Sequence, residues 1–101
     1  MQTEEWGELH DKTLVSLNLD WGTGELRMHV GKGPHGQWLI VAAGVRRFEC
    51  TRLDPWGPSK LVNDVRGPIP LAEGVVWLEV ELQSGDLLRL EARNAWLETV
   101  D

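Results

Sequence analysis

Apolar and polar residues alternate along most of the chain and helical spacing is scarce, so extended strands are expected throughout. In LVSLNLDW, Val15, Leu17, Leu19 and Trp21 fall on one face, with Ser16, Asn18 and Asp20 on the other. In ELRMHV, Leu26, Met28 and Val30 alternate with Arg27 and His29. The Gly-Thr-Gly between them is a turn signal, and the two segments read as a hairpin. Opposing Leu19 to Met28 and Leu17 to Val30 joins the apolar sets. It also sets Asp20 against Arg27 and Asn18 against His29 on the wet face.

QWLIVAAGV is apolar without alternation, as a strand buried on both faces requires. VRRFECTRL then resumes alternation on a changed parity, with Val45 on one phase and Phe48 and Cys50 on the other. That switch predicts a bulge or bend over 44–47. Cys50 is expected to pack as a small hydrophobe.

VVWLEVELQSGDLLRLEARN predicts a second hairpin. A two-residue loop at Ser84-Gly85 would set Val80 against Arg89 and waste the core face. A loop over Ser84, Gly85 and Asp86 instead opposes Leu82 to Leu88, Val80 to Leu90 and Leu78 to Ala92. The turn preference would place the glycine one position later; the hydrophobic match decides for this register. It pairs Glu81 with Arg89, offers a cation–π contact between Trp77 and Arg93, and sets Glu79 against Glu91. That like-charge pair predicts a raised carboxyl pKa or a bound cation, against a plain solvated face.

Shorter strands are expected at EEWGEL and KLVNDV, while RGPIPLAEG, with two prolines, reads as loop or edge. Six or seven short antiparallel strands with Gly-rich turns imply a single all-β domain over residues 1–101. The architecture is a β-sandwich in preference to a bent, barrel-like sheet.

Hydrophobic residues make up 42% of the chain and charged ones 26%, which supports a packed globule. No run approaches the ~20 apolar residues of a membrane-spanning helix, and the acidic start lacks the apolar stretch of a secretory signal. With one cysteine and no internal disulfide, a cytoplasmic location is expected. A net charge of −6 argues against nucleic-acid binding. The charge is uneven: residues 26–66 carry seven bases against three acids, and Arg46, Arg47, Arg52, Lys60 and Arg66 could gather into a basic patch.

PWGPS at 55–59, Asn63, and QSGD at 83–86 before an apolar strand together resemble a group of short, uncharacterised bacterial proteins. The resemblance covers 53–90 and implies a small all-β domain of bacterial origin. It implies no activity.

Signals for chemistry are weak. GKGPHG at 31–36 spells a dinucleotide fingerprint, but a strand follows it where the phosphate site needs a helix. His10, His29 and His35 show no metal-ligand spacing, and Ser59 and Ser84 lie in turns. No catalytic residue, metal or cofactor is therefore expected. Trp56 stands out because Pro55 and Pro58 stiffen its loop while Gly57 turns it sharply. Its ring is expected to close the core, with Arg52, Lys60 and Asn63 marking a rim where a partner would meet it. The expected function is non-enzymatic binding of an unidentified protein partner, with homodimerisation through an edge strand as a variant. The alternatives are a small-molecule binder with a Trp-lined pocket, or an acidic neutraliser of a basic enzyme.

Overall fold

Alternating segments become eight strands among residues 6–31 and 36–100, which the computed structural model describes. They are β1 (Leu14–Asp20), β2 (Glu25–Val30), β3 (Gln37–Ala43), β4 (Arg47–Cys50), β5 (Val62–Ala72), β6 (Val75–Leu82), β7 (Leu87–Ala92) and β8 (Asn94–Val100). One antiparallel sheet has the order β1-β2-β3-β8 and the other β4-β7-β6-β5. The two layers share one core but do not close, so the barrel-like alternative falls and the strand count rises from six or seven to eight. Leu26, Met28, Ile40 and Leu97 of the first sheet meet Leu78, Val80, Leu88 and Leu90 of the second.

The expected bend is present. Between β3 and β4 the chain turns through Gly44, Val45 and Arg46 and changes sheet. Opposite this corner Arg93 separates β7 from β8, and its backbone N–H donates to the carbonyls of Ala43 and Gly44. Gly44 has φ +66, and a Cβ there would strike the Arg93 side chain, so the corner requires glycine. β8 is the strand missing from the expected set. Its signal was the same kind of parity switch: Leu90 and Ala92 are buried on one phase, Ala95 and Leu97 on the other. As expected, β3 is buried on both faces from Leu39 to Ala42.

Both hairpins form, each in a register two residues away from the expected one. In the first, Leu19 faces Leu26 and Leu17 faces Met28, which leaves Asn18 against Arg27 and Asp20 against Glu25. In the second, Val80 faces Leu88, Leu78 faces Leu90 and Glu79 faces Arg89. The Glu79–Glu91 conflict and the Trp77–Arg93 pair therefore do not arise; Trp77 faces Glu91. A two-residue slip preserves the alternation, so apolar matching alone does not discriminate against it. Turn chemistry does. The loop is Gln83-Ser84-Gly85, closed by Gly85 N–H to Leu82 O and Leu82 N–H to Asp86 O, both 2.9 Å. Gly85, at φ +92, holds the left-handed third position that such loops demand.

Trp6 belongs to a short 3-10 turn with Gly7–Leu9 where a strand was expected; Glu4 and Glu5 lie outside the described residues. Trp6 and Leu9 are buried in the core. Backbone bonds from Asp11 N–H to Val62 O, Val62 N–H to Lys12 O and Leu14 N–H to Lys60 O then tie this entry to the start of β5. β5 absorbs both KLVNDV and the proline-containing run as one edge strand, interrupted by three register shifts. Lys32 to His35 of the glycine-rich loop lie outside the described residues.

Candidate binding groove

The loop after β4 is organised by one buried carboxylate. Asp86 Oδ1 accepts from Thr51 Oγ1 at 2.9 Å and from Leu53 N–H at 2.7 Å. Its Oδ2 accepts from Asp54 N–H at 3.0 Å and Ser84 Oγ at 2.7 Å. Burial by itself would push this carboxyl's pKa up, but those donors outweigh it and hold the pKa well below the ordinary carboxylate range. Thr51 Oγ1 in turn accepts from Leu87 N–H at 3.2 Å, and Trp56 N–H donates to Ser84 O at 2.8 Å. The PWGPS and QSGD segments are thus one structure, with each loop supplying the other's partners.

This arrangement corrects the expected role of Trp56. Its ring does not enter the core; it lies across Gly85, where an added Cβ would collide with the indole and with Pro55, and it remains 78% exposed. The aromatic that helps close the core is Trp6.

Between this loop and the N-terminal half of β1 runs a groove of about 770 Å³. Leu14, Val15 and Leu17 form one wall, Cys50, Arg52 and Pro58 part of the other, and Lys60 and Leu61 also line it. Among the described residues β1 pairs only with β2 over Ser16–Asp20 and β4 pairs only with β7, so the groove lies between two sheet edges. Leu17 faces Met28 on the core side of its sheet, yet it is 39% exposed. Val15 is the extra residue of a bulge between Leu14 and Ser16, which throws it off the expected apolar row and leaves it 51% exposed. Trp21 leaves that row as well, 90% exposed in the β1–β2 turn.

The expected basic patch is dispersed. Arg46 pairs with Glu91 at 2.9 Å and Arg47 with Glu49 at 3.0 Å. Arg66 reaches Asp64, Glu81 and Glu79 on the outer face of the second sheet, where Glu79 also bonds Arg89. Burial alone would raise the Glu79 pKa; the two arginines reverse that and lower it, contrary to the rise expected from a like-charge neighbour. Among the described residues, Lys12, Arg52, Lys60 and Arg93 form no ion pair with a carboxylate, and of these Arg52 and Lys60 line the groove.

Of the four binding residues expected from sequence, Arg52 and Lys60 converge on the groove and Trp56 sits on the loop that walls it. Asn63 stands apart: its carbonyl bonds His10 Nδ1 at 2.7 Å and its amide donates to Glu81 at 3.4 Å. Cys50 is exposed at the groove wall where a packed residue was expected. Partial burial and the nearby Asp86 charge raise its thiol pKa, which makes it a poor nucleophile at neutral pH. Sequence reasoning missed Asp86, Thr51 and Leu17. The Ser84-Gly85-Asp86 spacing was a usable signal for the first, because a carboxylate two residues after a serine favours local side-chain bonding. Comparison of the chain with protein-family models, with curated proteins and with solved structures finds no match to any of them.

Proposed function

We propose that the protein is a non-enzymatic binding domain that holds a protein partner in the groove between β1 and the 51–59 loop. The observation that carries this reading is Leu17: a core-phase residue opposite buried Met28 that the second sheet leaves uncovered at the groove wall. Leu53 and Trp56 are exposed on the loop that walls the groove, and a stiff aromatic loop loses little entropy on contact. The polar chemistry fits recognition better than catalysis. Asp86 is occupied by four donors, and burial together with the nearby Asp86 charge raises the Cys50 thiol pKa. A Trp-lined ligand pocket has less to support it, because no tryptophan lines the groove and Trp77 borders only a hollow of about 200 Å³. The single cysteine suits a reducing compartment such as the cytoplasm.

The test is affinity capture from a lysate of cells that make the protein, using wild type, Leu17→Asp and Arg52→Glu. A partner retained by wild type and lost by both variants, each with a native melting curve, is the expected result. Retention of every partner by both variants would remove the groove from the function.

A further inference from the structure

We infer that the chain pairs with a second copy of itself through the open edge of β1, the two strands running antiparallel about a two-fold axis at Asn18. This contact is separate from the proposed capture of a partner in the groove and does not depend on it. The four sheet edges differ in how they discourage pairing. β5 carries Pro68 and Pro70 and three register shifts, and prolines and bulges both block pairing. β4 is four residues long and exposes Arg47 and Glu49. The exposed positions of β8 are Asn94, Glu98 and Thr99, all polar. β1 is seven residues long, contains no proline and no inward charge, and exposes Val15 and Leu17.

The backbone bonds of β1 show which of its groups are open among the described residues. The Asp20 carbonyl accepts from Gly24 N–H at 2.8 Å, so Asp20 turns its backbone toward β2. Successive residues of an antiparallel ladder alternate sides. Asn18 and Ser16 therefore turn the same way as Asp20, while Leu17 and Leu19 direct their N–H and C=O outward. At the start of the strand Leu14 N–H, also outward, is taken by Lys60 O at 2.7 Å, and the bulge at Val15 accounts for the change of parity. The open groups thus flank Asn18 evenly. A two-fold axis at that residue sets Leu17 against Leu19 of the second copy, and the reverse, so that all of these groups are satisfied together. It also sets the Ser16 hydroxyl against the Asp20 carboxylate, and the two exposed Asn18 amides, each both donor and acceptor, against one another. The apolar groups match as well. Exposed Leu17 gains Leu19 beside it, and Trp21, exposed just past the end of β1, reaches exposed Val15 of the second copy. Val15 lines the groove, so each groove gains the other copy's Trp21 at its rim. Any extended segment could meet the open hydrogen-bonding groups; the even spacing about Asn18 and the Trp21–Val15 exchange select a second copy.

Sedimentation equilibrium and residue-resolved amide exchange, carried up to millimolar protein, test the pairing. The chain should pass from monomer to dimer as its concentration rises. Exchange at Leu17 and Leu19 should slow in step, while Ser16, Asn18 and Asp20, already turned toward β2, stay as they were. Each copy carries a net charge of −6, so added salt should strengthen the dimer. Asn18→Lys places two ammonium groups at the axis, each beside an Arg27, and should leave the chain monomeric with a native melting curve. Mixing that variant with Asn18→Asp should restore a dimer holding one copy of each. Trp21→Ala should weaken the dimer several-fold, whereas Arg52→Glu, on the far wall of the groove, should leave it unchanged. A chain monomeric at every concentration, a dimer that slows amides other than those of Leu17 and Leu19, an Asn18→Lys variant that dimerises like wild type, or a mixture that stays monomeric would each overturn the inference. A captured partner lost on Arg52→Glu from a chain that stays monomeric would leave the groove its function and remove only the dimer. A dimer without any Arg52-dependent partner would do the reverse.

Discussion

Across the groove, the 51–59 loop and strand β1 treat their polar and apolar groups in opposite ways. On the loop side, Asp86 gathers four donors, Trp56 N–H finds Ser84 O, and the Trp56 ring is spread over the Gly85 backbone. On the β1 side, backbone groups along one edge have no strand partner among the described residues, and Val15 and Leu17 face solvent. The first wall is pre-organised and the second is available. Binding sites combine the two, because a rigid wall limits the entropy lost on association while an unsatisfied one supplies the gain.

The sharpest way to break the comparison is Asp86→Ala. Four donors lose their acceptor at once in a buried position, so the melting temperature should fall by more than about 10 °C, with faster amide exchange over 51–56. A drop no larger than that of a surface substitution would show that the loop is held by other contacts.

Acid should act through the same carboxylate. Asp86 and Glu79 both have pKa values lowered in the folded state, so their contribution is fully present above the unfolded values of roughly 4. It is lost as pH falls below that point toward the folded values. Thermal melts between neutral pH and pH about 2 should therefore steepen downward below pH about 4. Asp86→Asn, already less stable at neutral pH, should show a flatter acid limb than wild type.

Gly85→Ala forces a side chain onto a residue at φ +92 and against the indole and Pro55, a cost of about 1–2 kcal/mol by chemical denaturation. Smallest of all are the exposed positions. Trp56→Ala should lower stability by less than about 1 kcal/mol, because most of the ring is already in water. Leu17→Thr should change it by at most about 1 kcal/mol while weakening any partner that uses the groove. If Trp56→Ala proved as damaging as Asp86→Ala, the ring would be a structural element of the loop and not a contact surface.

Much of the fold was legible. Alternation identified the strands on both sides of each turn, the parity switch after Ala43 located a bend at which the chain proves to change sheet, and the two prolines limited the 66–74 run to loop or edge, of which the edge of β5 is the outcome. Of the residues expected to bind, Arg52 and Lys60 line one groove and Trp56 belongs to the loop between them. The role of Trp56 was not legible, because a proline-flanked tryptophan reads the same whether it turns inward or rests on a neighbouring glycine. What it rests on, Gly85, lies about thirty residues further along the chain and shows itself only through the Trp56–Ser84 bond and the ring's position.

Period-two hydrophobicity by itself determined that this chain is all-β, with two hairpins and a bend after Ala43; that this bend carries the chain into the other sheet came from the tertiary structure. Periodicity was blind to register, since sliding a strand by two residues leaves every side chain on its own face; the Gly85 turn settled the second hairpin, and with it whether Glu79 met a carboxylate or an arginine. Only the tertiary structure decided which apolar residues are covered. A core-phase position such as Leu17 is buried when another layer lies over it, and the layer opposite β1 stops short.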